Sequence, residues 1–143
     1  MVHVTPDSRE GLIVQGFDVE KVAQLYGAAE IVTLRSGNFL FRASDEGDAL
    51  YIVKSGTARI MNGSIVYKTV RAGGIVGEMA LVDKGMRRSA SVIAATSAEL
   101  IRIDVPKFLA LVASAPDFAL TVMGVMARRI RVMNRRYRPN PPS

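Results

Sequence analysis

The stretch ALYIVKSGTARIMNGSIVYKTV (49–70) decides the fold. It divides into three β-prone runs, ALYIVK (49–54), TARIM (57–61) and SIVYKTV (64–70), separated by Ser55-Gly56 and Asn62-Gly63. β-Branched and aromatic residues between glycine-containing breaks predict strands joined by tight turns. Asn62-Gly63 carries the strongest hairpin signal, because both residues tolerate the positive φ that a type I′ turn demands. Upstream, IVTL (31–34) and NFLF (38–41) repeat the pattern around Ser36-Gly37 and Asp45-Glu46-Gly47-Asp48, and downstream it returns at ASVIAA (90–95) and AELIRI (98–103). So many short strands at close spacing predict a sandwich, barrel or jelly roll.

Helical periodicity flanks this β region. Over Phe17–Ala28, Val22, Leu25 and Tyr26 fall on one side, with Asp18 placed as an N-cap. After the last strand, Asp104 and Pro106 form a cap and first-turn proline signal, which Ser114-Ala115-Pro116 repeats. A longer helix is expected from Pro116 to about Tyr137, with Phe118, Val122, Val125, Met126, Ile130 and Met133 near one stripe. The expected organisation is an extension at 1–16, one domain at 17–137 and a tail at 138–143.

The chain has 143 residues, 49% of them hydrophobic, which suits one domain with one core. It contains no cysteine, and its one histidine is His3. Thiol nucleophiles, iron–sulfur ligation and an internal heme histidine are thereby excluded, and hydrolysis through a metal cluster or a placed imidazole base is poorly equipped. MVHVTPDSREGLIVQG (1–16) has neither the basic start nor the apolar run of a signal peptide or membrane span, so a cytoplasmic location is expected. The formal net charge of +6 favours an acidic or phosphate-bearing partner. Arg128, Arg129, Arg131, Arg135, Arg136 and Arg138 account for it, since without them the formal charge is zero. Such a run most often forms a solvated helix face that complements the helix dipole.

Between the strand groups, Ala72-Gly73-Gly74 opens IVGEMALVDKGMRRSASV (75–92), which follows no period of two or 3.6. An interruption of this kind marks a working loop. Within it, Val76-Gly77-Glu78-Met79-Ala80-Leu81 precedes Arg88-Ser89-Ala90-Ser91-Val92. Glycine permits close approach of backbone to an anion, and one helical turn after it would aim N–H groups at that anion. Arg88 adds a planar fork able to donate two charge-assisted hydrogen bonds to paired phosphate oxygens, each contributing about 1.5–3 kcal/mol. A phosphate would repel Glu78; its carboxylate fits instead as an acceptor from a sugar hydroxyl, leaning against Arg88. Taken singly, Gly-Glu is a chance pair and Arg87-Arg88 a surface pair; the spacing joins them, with Arg87 left to solvent.

The segment resembles the phosphate-binding cassette of the cyclic nucleotide-binding domain family, found in catabolite activator proteins, protein kinase A regulatory subunits and cyclic nucleotide-gated channels. The resemblance runs from about Phe17 to Asn134 and includes the Gly47–Gly56 run and MARRIRVMN (126–134). It implies a mainly β double-stranded β-helix (jelly roll) with an N-terminal helix, a short cassette helix and two C-terminal helices. It further implies that Gly77, Met79 and Ala80 lend backbone to the ligand, Glu78 takes the ribose 2′-hydroxyl and Arg88 the exocyclic phosphate oxygens. Ser89 and Ala90 would complete the cradle, Val76 and Tyr67 would face the purine, and Met133 and Asn134 would reach it from the last helix, unless they are ordinary helix-surface residues. Val76 stands where many members have phenylalanine or isoleucine, and Arg87 where many have proline. Serine after the arginine accompanies cyclic AMP more often than cyclic GMP.

The expectation is therefore a non-enzymatic regulatory module without a cofactor, whose ligand is cyclic AMP or else cyclic GMP and whose last helix folds over the base. The alternative is a ligand-free module of the same fold that docks partners through its basic last helix. Its effector, another protein or a parent-chain domain, is not named by the sequence. Nine residues follow Asn134, too few for a helix-turn-helix, so sequence-specific DNA binding by these residues is not expected. The apolar stripe of the last helix would either pair with its twin in a homodimer, as the resemblance implies, or pack on its own sandwich.

Overall fold

The computed structural model describes residues 30–82 and 87–136, the side chains of Val82, Met133, Arg135 and Arg136 excepted. The helix expected over Phe17–Ala28 lies outside the described residues.

Among the described residues eight strands form two antiparallel sheets: β1 (Ile31–Leu34), β2 (Phe39–Phe41), β3 (Ala49–Ser55), β4 (Ala58–Asn62), β5 (Ile65–Val70), β6 (Ile75–Val76), β7 (Ser91–Ala94) and β8 (Ala98–Asp104). One sheet has the order β1-β8-β3-β6 and the other β2-β7-β4-β5. Distant segments thus face each other in register, Ile31 with Ile101, Ala49 with Asp104 and Phe39 with Ile93. This is the jelly roll that the resemblance implies, one of the three architectures the strand pattern allows. Among the described residues three helices accompany it: α1 (Met79–Val82), α2 (Val105–Ser114) and α3 (Asp117–Arg136).

The period-two alternation of the central strands explains where the core lies. Leu50 and Ile52 of β3, Ile101 and Ile103 of β8 and Ile75 of β6 point to the helices, where Leu111, Phe118, Val122 and Val125 meet them. Val53, Leu100 and Val76 point the other way, into the space between sheets, with Ile60, Val70, Val92 and Ala94. Both faces of the first sheet are buried, hence the near-continuous apolar reading of LYIV and LI in its two middle strands.

Three local details depart from the sequence expectations. Strand β6 lies inside the stretch read as lacking a period; at two residues it is too short to show one. The β4–β5 hairpin pairs Asn62 with Ile65, so its loop is Gly63-Ser64, and only Gly63 has positive φ, at 63°. That is the II′ pattern, not I′. On α3, Phe118, Val122 and Val125 are buried as expected, whereas Ile130 is 47% exposed because it lies well round the helix from them. Asp104 caps α2 as its sequence implied, accepting a hydrogen bond from the Lys107 amide at 3.0 Å.

Candidate functional site

The site is built where the β2–β3 loop is zipped against residues 87–91. The Ser44 amide donates to the Arg88 carbonyl and the Arg88 amide to the Asp45 carbonyl, both at 2.8 Å, and the Ala43 amide donates to Ser91 Oγ at 2.8 Å. Arg87 reaches over this seam to the Ser44 carbonyl at 3.0 Å and stays exposed, as its assignment to solvent anticipated. Its neighbour turns inward. Arg88 donates from Nη1 to the Gly77 carbonyl at 3.0 Å and from Nη2 to the Ala49 carbonyl at 2.9 Å.

Glycine makes that inward course feasible. A side chain on Gly47 would stand 2.2 Å from Arg88 Nε, and one on Gly77 would stand 2.7 Å from Nη1; Gly77 also holds φ at +76°. Burial pushes the Arg88 pKa below its ordinary value, opposed by the field of Tyr51, Asp48, Glu78 and Asp45. Arg88 Nε is buried without a hydrogen-bond partner.

Glu78 is the one buried charged residue among the described residues, 2% exposed. It does not lean on Arg88. Its carboxylate is paired with Arg129 Nη1 of α3, and Arg129 Nη2 donates to the Ile75 carbonyl. Tyr67 of β5 secures the same turn of helix, its hydroxyl donating to the Arg129 carbonyl at 3.0 Å. Arg129 is thus withdrawn from the solvated run to which its five arginine neighbours suggested it belonged. A signal was present: Arg129 follows Val122 by seven residues and Val125 by four, which places it on the buried stripe.

These groups surround a cavity of about 340 Å³, within the range that accommodates small ligands. Gly77, Glu78, Met79, Ala80, Arg88, Ser89, Ala90 and Tyr67 all line it, so eight of the eleven residues singled out in the sequence are brought together. Val76 faces the same between-sheets core as Ile60 and Val92 but is fully buried there opposite Tyr51, and it is not among the residues that line the cavity. Asn134 is exposed on α3 and does not line the cavity either. The Met133 side chain lies outside the described residues. Arg129, Phe41, Ile60 and Val92 belong to the lining without having been singled out. Chemically, the lining combines the Arg88 cation, the buried Glu78–Arg129 pair, a glycine and apolar walls. Among the described residues no His, Cys, Asp and Glu group is arranged to hold a metal ion, and no helix is long and apolar enough to cross a membrane.

Comparison with known proteins gives the arrangement a lineage. The cyclic AMP receptor protein of Thermus thermophilus is 34% identical over 100 residues, covering 66% of this chain and 46% of that protein. The cAMP-dependent protein kinase regulatory subunit of Schizosaccharomyces pombe is 30% identical over 106 residues, covering 73% of this chain and 26% of that one. The chain therefore spans less than half the length of these relatives. The crystal structure of the Thermus thermophilus catabolite activator protein superposes with a TM-score of 0.67 at 29% identity, over 85% of this chain and 59% of that one. The model of the cyclic nucleotide-binding domain matches residues 31–115, from the first strand to the end of α2 and through every strand that builds the cavity. The chain belongs to the cyclic nucleotide-binding domain family.

Proposed function

We propose that the cavity binds cyclic AMP in preference to cyclic GMP, with the phosphate on Arg88 and the ribose 2′-hydroxyl on Glu78, and that α3 carries the signal outward. The observation that carries the reading is that an inward-turned arginine and a buried glutamate line one cavity together with Gly77. Arg88 suits an anion, and the Glu78 carboxylate, which can only accept, suits a hydroxyl donor, so a ligand with a phosphate beside a hydroxylated sugar matches both. Gly77, Met79 and Ala80 supply backbone, Ser89 and Ala90 close the cradle, and Tyr67 faces the purine. Ser89 favours cyclic AMP, and the Thermus and fission yeast relatives are named for that nucleotide.

Transmission follows from the partner of Glu78. A ribose hydroxyl on that carboxylate changes what Arg129 can keep, and Arg129 lies on α3. Binding can shift α3 only by the difference in affinity between its two positions, and the Glu78–Arg129 pair is where that difference arises. The module is non-enzymatic in this reading, and its effector is another protein or a further domain of a longer chain.

The partner face of α3 is the opposite one. Leu120, Met123 and Ile130 are 65%, 54% and 47% exposed, and with exposed Ala127 and Asn134 they recur at alternating steps of three and four. That is the spacing of a coiled-coil seam, which supports pairing with a second copy through α3.

Calorimetry with cyclic AMP and cyclic GMP tests the reading. Saturable heat, stronger for cyclic AMP and nearly abolished by Arg88→Ala, is expected. A wild-type chain that takes up neither nucleotide would instead favour a ligand-free docking module.

A further inference from the structure

We propose that Phe41 is a positioning residue for Arg88, its ring setting the affinity of the site for an anionic ligand; the proposal rests on the functional reading above. The Phe41 ring centroid lies 4.0 Å from Arg88 Cζ, within cation–π range. The aromatic ring is itself held: it packs in the core between the sheets, its centroid 6.3 Å from that of Tyr51, and β2 pairs Phe41 with Val92. Phe41, Arg88 and Gly77 converge on one point, since a side chain on Gly77 would meet both Arg88 Nη1, at 2.7 Å, and Phe41 Cε2, at 3.2 Å.

The two carbonyl bonds to Gly77 and Ala49 hold the guanidinium by its terminal nitrogens. They do not compensate the loss of water from its faces, and Nε has no partner at all. A π-face supplies attraction there that an aliphatic side chain of the same bulk does not, because only the aromatic ring carries a quadrupole. An arginine held in one place before the ligand arrives loses less freedom on binding. Phe41 and Arg88 both line the cavity, so the ring stands beside the guanidinium where an anionic ligand would meet it.

The test is a series at one position. Phenylalanine bearing one, two and three ring fluorines keeps the shape of Phe41 while progressively weakening its quadrupole. Cyclic AMP affinity, measured by calorimetry, is expected to fall stepwise along the series. Phe41→Leu should weaken binding roughly fivefold to thirtyfold, and Phe41→Tyr should stay within about twofold of wild type. Urea unfolding of the ligand-free chain provides the second measurement: the stepwise fall should recur there and vanish in an Arg88→Ala background. A wild-type chain that binds no cyclic nucleotide overturns both this proposal and the functional reading. Wild-type binding with a flat fluorine series overturns the role of Phe41 alone.

Discussion

Replacing Arg129 with methionine removes the partner of a carboxylate that water barely reaches. Glu78 is 2% exposed and the Arg129 side chain 13% exposed, so neither charge is rescued by solvent in place. Breaking one side of a buried pair of this kind costs about 3–5 kcal/mol, because the remaining charge is left uncompensated. The Ile75 carbonyl loses its donor from Arg129 as well. Methionine retains most of the length and bulk, which keeps the cost electrostatic and not a matter of packing. Against a total stability of about 5–15 kcal/mol for a domain of this size, Arg129→Met should remain folded but with a much reduced margin. At a urea dependence of about 2 kcal/mol per molar, the midpoint should drop by about 2 M. The double mutant Glu78→Gln/Arg129→Met should recover part of the loss, giving a coupling of about 2–3 kcal/mol in the four-way cycle. Urea titrations of the four ligand-free proteins, followed by circular dichroism at one pH, measure it. An Arg129→Met cost under about 1 kcal/mol, with coupling indistinguishable from zero, refutes the pair as a structural element.

Other changes have equally definite outcomes. Asp104→Ala should cost about 1 kcal/mol by removing the cap of α2, read as a lower thermal midpoint. The Asp104 carboxyl sits below the usual carboxylate range, first because the Lys107 amide donates to it and then through the Lys107 ammonium and Arg102. Since its folded pKa is depressed, its contribution is complete above the unfolded value and disappears as pH falls through the folded one. The gap between wild type and Asp104→Asn should therefore narrow below about pH 4. Ser44 holds φ at 75°, a conformation that suits glycine better; Ser44→Gly should raise stability by about 0.5–1 kcal/mol and leave nucleotide affinity unchanged, as unfolding and calorimetry would report. Met123→Glu puts a charge in the middle of the exposed seam of α3 and should abolish the self-association expected of the parent, as sedimentation of both proteins at one concentration would report.

The strands were legible because glycine-containing turns separate them and because β3 and β8 alternate between two cores. The jelly-roll order was not contained in that pattern; it came with the resemblance, since which strands pair depends on contacts between residues far apart in the chain. That Gly77, Glu78 and Arg88 meet in one cavity could be anticipated, because their residue types at that spacing suit a phosphate and a sugar. The partner of Glu78 could not be read from the cassette, as it comes from another helix, and Arg129 was masked by identical neighbours. Its place on the Val122–Val125 stripe would have distinguished it. Val76 points to the same side as Ile60 and Val92 and differs from them in depth, which a valine beside the cassette does not reveal in sequence. Phe41 carried no signal until the ring was seen against a guanidinium.

The nesting of the sheets also dictates tempo. Ile31 cannot meet Ile101, nor Ala49 meet Asp104, until the intervening chain has been gathered in, so little of the sandwich is won by neighbours in sequence. Topologies of this sort assemble in roughly milliseconds to seconds, far more slowly than helical bundles. Each of the two four-stranded layers needs its distant half, and the cavity draws its lining from residues as far apart in the chain as Phe41 and Arg129.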